Sequence, residues 1–111
     1  MQKVLASGGL PGKTILCAND RFAFGAMAAA FDAGLKIGRH ASRDVRIAGH
    51  DDHPLSRYTC PPLTTMAQNA QGIAAKSVEM LLARIDQPED APALPAERII
   101  LEASLVMRHS A

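Results

Sequence analysis

The sequence predicts an α/β fold built on a parallel sheet, and three neighbouring segments carry that expectation. Thr14-Ile15-Leu16-Cys17-Ala18 is apolar, uncharged and bounded by turn residues, the pattern of a buried strand in a parallel sheet. Arg21 to Ala33 is helical in pattern, with Phe24, Met27 and Phe31 recurring at spacings of three and four on one face. Asp44 to Gly49 then gives a second short strand through Val45, Ile47 and Ala48. Strand, helix and strand in so short a stretch form a βαβ unit, which makes the strands parallel and the crossover right-handed.

The other elements follow in chain order. Gln2 to Ser7 reads as the end of a helix running into Gly8-Gly9-Leu10-Pro11-Gly12. Asp20 is placed to cap the helix after the first strand, and Gly34 to end it. On that helix Arg21, Gly25, Ala28 and Asp32 form a second stripe, small in the middle and charged at its ends. Pro61-Pro62 belongs in neither a helix interior nor a central strand, and Leu63-Thr64-Thr65-Met66 is extended by composition. Ala67 to Ile85 forms a second amphipathic helix, with Ile73, Ala74, Val78, Leu81 and Ile85 facing a core. Gln87 to Pro95 is a loop. Ile99-Ile100-Leu101 and Leu105-Val106-Met107 are expected as closing strands.

A chain of 111 residues, 48% of them hydrophobic, supports one compact domain and not two. The formal net charge of +1 gives no overall basic field for nucleic acid or an anionic membrane. No apolar run approaches the roughly 18 residues that span a bilayer. The N-terminal residues lack the apolar stretch of a secretory signal. Cys17 and Cys60 form no CxxC pair, so a reduced, cytoplasmic protein is expected, without a disulfide framework and away from membranes.

Two segments invite a chemical reading. Ser7-Gly8-Gly9-Leu10-Pro11-Gly12-Lys13-Thr14 approaches a phosphate-binding loop, but Ser7 stands at its first glycine. Lys13-Thr14 also runs into a strand, where a phosphate loop opens a helix. It reads as a plain connection. His50-Asp51-Asp52-His53 carries two imidazoles and two carboxylates, a donor set suited to zinc or a harder divalent ion. Adjacent residues at a strand end point in opposite directions, so Asp51 and Asp52 do not readily share one ion. A metal-dependent hydrolase centred on these four residues is kept as an alternative. No nucleophile elbow is present, no cofactor is implied, and the chain is not expected to be an enzyme.

A binding cleft is better supported. In open parallel sheets, ligands sit outside the carboxyl ends of the strands. Asn19-Asp20 follows one strand and Asp51-Asp52 the other. Amide and carboxylate groups suit hydroxyl-rich or amide-bearing small molecules. Asp20 and Asp52 fit structural roles, as helix cap and turn residue, which leaves Asn19 and Asp51 as binding candidates.

Four segments also resemble one family. Ala18-Asn19-Asp20-Arg21-Phe22-Ala23-Phe24-Gly25-Ala26 is similar to the A-N-D-x-x-A-x-G-A segment of the lac repressor/gal repressor family of bacterial transcription regulators. Gly34 to Gly38 and Asp44 to Asp52 are similar to that family's G-L-x-V-P-x-D-V-S-V-V-G-F-D-D. Pro61-Pro62-Leu63-Thr64-Thr65 resembles its P-P-L-T-T, and Arg108-His109-Ser110 its closing R-x-S. The resemblance spans nearly the whole chain. It implies the C-terminal part of an effector-binding domain with a three-layer, periplasmic-binding-protein-like fold. Residues 1–60 would be the βαβ part of the C-terminal lobe, and 61–111 a crossing segment, helix and final strands.

The resemblance assigns ligand contacts to Asn19 and Asp51, and a weaker one to Gln68. It implies a sugar-like or nucleobase-like effector, a dimer through helix 21–33 and the loop from Leu55 to Tyr58, and operator DNA bound only through an N-terminal domain that these residues lack. A solute-binding protein of a transport system, which shares the fold, is the second alternative. Three positions depart from the family pattern: His50 replaces its Phe or Tyr, Gly38 its common Pro, and Glu102 a Pro before the last strand.

Overall fold

The computed structural model describes residues 1–6, 9–10, 12–88, 92 and 94–111. Ser7, Gly8 and Pro11 of the glycine-rich segment lie outside the described residues, as does part of the 87–95 connection. The chain forms two units, residues 1–68 with 104–111, and residues 69–103.

The first unit holds α1 (Gln2–Ala6), β1 (Thr14–Leu16), α2 (Asp20–Asp32), β2 (Arg46–His50), a 3-10 turn (Pro54–Arg57), β3 (Thr64–Ala67) and β4 (Ser104–Val106). The strands form one sheet in the order β1-β2-β3-β4. β1, β2 and β3 run parallel and β4 closes the sheet antiparallel. The expected βαβ unit is therefore present, and β3 joins it at Ala48↔Thr64. Residues 61–68 pack within this unit through β3.

α2 covers one face of the sheet. Ala23, Ala26, Met27 and Ala30 are buried at the spacing of a single helical stripe, against Val45, Ile47 and Leu63. Phe24 packs at the edge of this core. Phe31, which shares the periodicity of Phe24 and Met27, is 79% exposed, because the inward stripe runs through the alanines instead. Their small side chains let the helix lie close to β2.

The helix ends in a Schellman motif. Gly34 adopts φ +72°, its N–H donates to the Phe31 carbonyl, and the Leu35 N–H donates to the Ala30 carbonyl. At the other end Asn19 is the cap, its Oδ1 accepting from the Phe22 N–H at 2.9 Å. Asp20, expected as the cap, is instead buried one residue further in.

β1 is not the doubly buried strand that its composition suggests. Leu16 is 78% exposed. Among the described residues β1 is an edge strand paired with β2 alone, and α2 covers the face of Ile15 and Cys17. Along β2, Ile47 and Gly49 are buried while Arg46, Ala48 and His50 are half-buried on the opposite face. The register places His50, Met66 and Leu105 in one row on that face.

The second unit contains α3 (Ala70–Ile85), capped by Asn69, whose Oδ1 accepts from the Gly72 N–H at 2.9 Å. The helix begins later than the periodicity suggests, because Ala67 is still paired with Ser104 in the sheet. None of its residues is fully buried, and Ile73, Val78, Leu81 and Ile85 are exposed. Ile99-Ile100-Leu101, expected as a strand, is irregular; among the described residues of its own unit no strand offers a ladder.

Ile47→Ala should cost about 3–4 kcal/mol, since the side chain is wholly buried, whereas Leu81→Ala should cost under about 1 kcal/mol. Urea denaturation of the two variants checks the difference.

Candidate functional site

Parallel pairing brings the carboxyl ends of β1, β2 and β3 to one edge of the sheet. Asn19, Asp51 and Gln68 each lie just past one of these strands. All three sequence candidates therefore share that edge, where open α/β sheets bind ligands.

The turn after β2 is the unusual feature. Asp51 has φ +108° and Asp52 φ +47°. Such conformations cost a side-chain-bearing residue about 1–3 kcal/mol and persist only where the surroundings enforce them. Here they do. The Asp51 N–H donates to the Met66 carbonyl at 2.8 Å, and the Asp52 N–H to Thr65 Oγ1 at 3.4 Å. Arg108 Nη2 donates to Asp52 Oδ1 at 2.7 Å, while its Nη1 donates to the Leu63 carbonyl at 2.8 Å. Asp52 is thus held by an arginine from the chain's last residues. Asp51, one residue earlier, is exposed, and its Oδ1 accepts from Gln68 Nε2 at 2.7 Å.

Beneath this turn sits Asp20, 1% exposed. Its Oδ2 accepts from Ser56 Oγ at 2.5 Å and from the His53 N–H at 2.8 Å. Its Oδ1 accepts from Thr65 Oγ1 at 2.5 Å. One carboxylate therefore joins the start of α2, the segment after β2 and strand β3. Gly49 is required beside it, because a Cβ there would collide with the carboxylate and with Leu63. Burial, and then the negative charge of Asp20, push the Cys17 thiol pKa up, which keeps this sulfur protonated and a poor nucleophile.

The four-residue cluster is dispersed. His50 lies on the sheet face away from α2, Asp51 meets Gln68, and Asp52 meets Arg108. His53 Nδ1 accepts from the Leu55 N–H at 3.1 Å, and its ring stands edge-on to Phe24 at 5.7 Å. Among the described residues no three His, Cys, Asp or Glu side chains are grouped to hold a metal. The geometry therefore does not bring these four residues together as one donor set.

The family model of the periplasmic binding protein-like domain matches residues 2–111. This chain belongs to that family. Within it, the chain is 35% identical to the HTH-type transcriptional repressor PurR of Pasteurella multocida and 34% to the ribose operon repressor of Haemophilus influenzae. Each alignment covers 99% of this chain and 30% of the relative. The lac repressor dimer bound to operator and the anti-inducer ONPF superposes with a TM-score of 0.73 at 33% identity, over 98% of this chain and 35% of that one. A LacI family regulator from Enterococcus faecium with bound ribose gives 0.70 at 27% identity, over 98% and 38%. The chain spans about a third of the length of these proteins. The resemblance to lac repressor/gal repressor regulators therefore stands, and the relatives of this periplasmic binding protein-like domain are repressors, not enzymes.

Asp20, Ser56, Thr65 and Arg108 were not read from the sequence as parts of the site's frame. The available signal was that Asn19 could cap α2 by itself, which freed Asp20 for another role. Asp20→Ala should cost about 3 kcal/mol by stranding two buried hydroxyls and a backbone N–H. Asn19→Ala should cost about 1 kcal/mol. Urea denaturation ranks them, and equal losses would contradict this assignment.

Proposed function

We propose that this chain is the effector-sensing and dimerising part of a cytoplasmic transcription repressor. It takes a small sugar-like or nucleobase-like ligand at the carboxyl edge of its sheet. The observation that carries the reading is the strained turn that presents Asp51, exposed, beside Gln68 and on the same edge as Asn19. An ionised Asp51 accepts hydrogen bonds from ligand hydroxyls or N–H groups, and Gln68 offers both a donor and an acceptor. A ligand that replaces the Asp51–Gln68 hydrogen bond satisfies both groups at once. Asn19 Oδ1 is committed to capping α2, so its Nδ2 amide is what remains to offer a ligand. The ribose-bound relative supports a sugar as one class of ligand, and the repressor relatives favour regulation over transport. Operator contact belongs to a helix-turn-helix outside these residues.

With one wall of a two-walled cleft, the 111-residue chain should bind ribose at about millimolar Kd or weaker. Asp51→Ala should abolish that binding, whereas Asp52→Ala should lower stability through loss of the Arg108 pair. Chemical-shift titration with ribose and adenine measures both. Micromolar binding, or binding that survives Asp51→Ala, overturns the assignment.

Self-association rests on a second observation. Phe22, Leu55 and Tyr58 are exposed, and the Asp20 bonds to His53 and Ser56 hold the start of α2 beside the turn that carries Leu55 and Tyr58. Exposed aromatic and aliphatic groups gathered at one corner favour a twofold contact that uses the same patch on each copy. Light scattering at micromolar concentration should give about twice the 11.8 kDa chain mass. Tyr58→Glu should return the monomer. A well-folded wild-type monomer contradicts the reading.

A further inference from the structure

The amino end of the sheet, opposite the Asp51 edge, carries a second feature. A recess of about 360 Å³ is lined by Gly38, Arg39, His40, Arg43 and His109. Two arginines and two histidines are among its lining residues, and no acidic residue is. Among the described residues, neither Arg39 nor Arg43 has a carboxylate within ion-pair distance. The neighbouring Asp44 is turned away, its Oδ2 accepting from the Lys36 N–H at 2.7 Å.

The backbone around the recess is fixed. The Gly38 N–H donates to the Val45 carbonyl at 3.0 Å, the Arg39 N–H to the His109 carbonyl at 3.3 Å, and the Arg43 N–H to the His40 carbonyl at 3.0 Å. Arg46 Nε donates to the Arg39 carbonyl at 3.3 Å. Arg43 folds over Gly38, its Cγ only 3.1 Å from where a Cβ would stand, so the glycine makes room for the arginine stem. This segment is also the chain's own departure from the family pattern. G-L-x-V-P-x-D-V leaves one residue between its Pro and its Asp, whereas Arg39-His40-Ala41-Ser42-Arg43 stands between Gly38 and Asp44 here.

We propose that this recess is a separate oxyanion site for a small phosphate-bearing molecule. Arg39 and Arg43 supply planar, permanently charged forks of N–H donors, which match phosphate oxygens in geometry as well as charge. His40 and His109 also line the recess, and an imidazole ring N–H is a further donor type for an oxyanion. The volume is at the low end for ligand pockets and fits a phosphate with a small organic body. β2, five residues at about 3.3 Å each, sets the site roughly 16 Å from Asp51, too far for one small ligand to bridge both. The site therefore does not depend on the effector reading.

Calorimetric titration of the full chain at constant ionic strength tests it, with inorganic phosphate, ribose 5-phosphate and a short DNA duplex as probes. Saturable millimolar or tighter binding of phosphate or ribose 5-phosphate is expected. Arg39→Ala and Arg43→Ala, both at exposed positions, should each weaken it at least about tenfold, and Arg98→Ala should not. Tighter binding of inorganic phosphate assigns the site to the free ion, and tighter binding of ribose 5-phosphate to a phosphorylated metabolite. Non-saturable binding, indifference to both arginine variants, or stronger binding of the duplex overturns the proposal.

Discussion

The buried carboxylate of Asp20 is the constraint on which the carboxyl edge of this domain depends. Among the described residues it has no cationic partner within ion-pair distance. Its burial is compensated by three hydrogen bonds from neutral donors, two of them hydroxyls at 2.5 Å. Those donors belong to β3, to the segment after β2 and to the 3-10 turn, and the acceptor belongs to the first turn of α2. Four pieces of chain must therefore arrive together. The carboxylate also excludes any side chain at position 49, so the last buried position of β2 is a glycine.

The strained turn is the consequence. Left-handed backbone at two successive aspartates would relax in a free loop. It is held here because Asp52 is anchored from the far end of the chain by Arg108, and the following residue is anchored from below by Asp20. The C-terminal residues stitch the same region a second time. Ser110 Oγ accepts from the Thr64 N–H and donates to the Ile47 carbonyl, so it bridges β3 and β2. The two aspartates divide the work: Asp52 is spent on structure, and Asp51 is left outward with Gln68 as its neighbour.

What could be read from the sequence was local. The βαβ unit, the Gly34 helix end and the Pro61-Pro62 break all follow from periodicity and backbone chemistry within a few residues. The misreadings share one cause, which is that they needed long-range partners. An apolar run such as 14–18 looks the same in a central strand and at an edge. Phe31 and the apolar positions of α3 satisfy helical periodicity without saying what, if anything, lies against them. The Ile99-Ile100-Leu101 run has the composition of a strand but no ladder among the described residues of its unit. Asn19 and Asp51 could be proposed from strand-end position, and Gln68 only through resemblance. That the three share one edge required the parallel register. Asp20 escaped notice because its partners lie 33 to 45 residues away in the chain.

The same register settles what the departure at His50 changes. The family pattern has an aromatic residue before its aspartate pair, so an imidazole there could have altered the turn that follows. Alternation along β2 puts Ile47 and Gly49 on the α2 side, where Asp20 sits, and His50 on the other. His50 pairs across the sheet with Met66 and, beyond it, Leu105, in a row that none of the Asp20 hydrogen bonds reaches. The substitution therefore changes the polarity of the sheet's second face and leaves the frame of the Asp51 turn intact. The Asp51–Gln68 hydrogen bond lies outside that row, and any effect of position 50 must act through that second face.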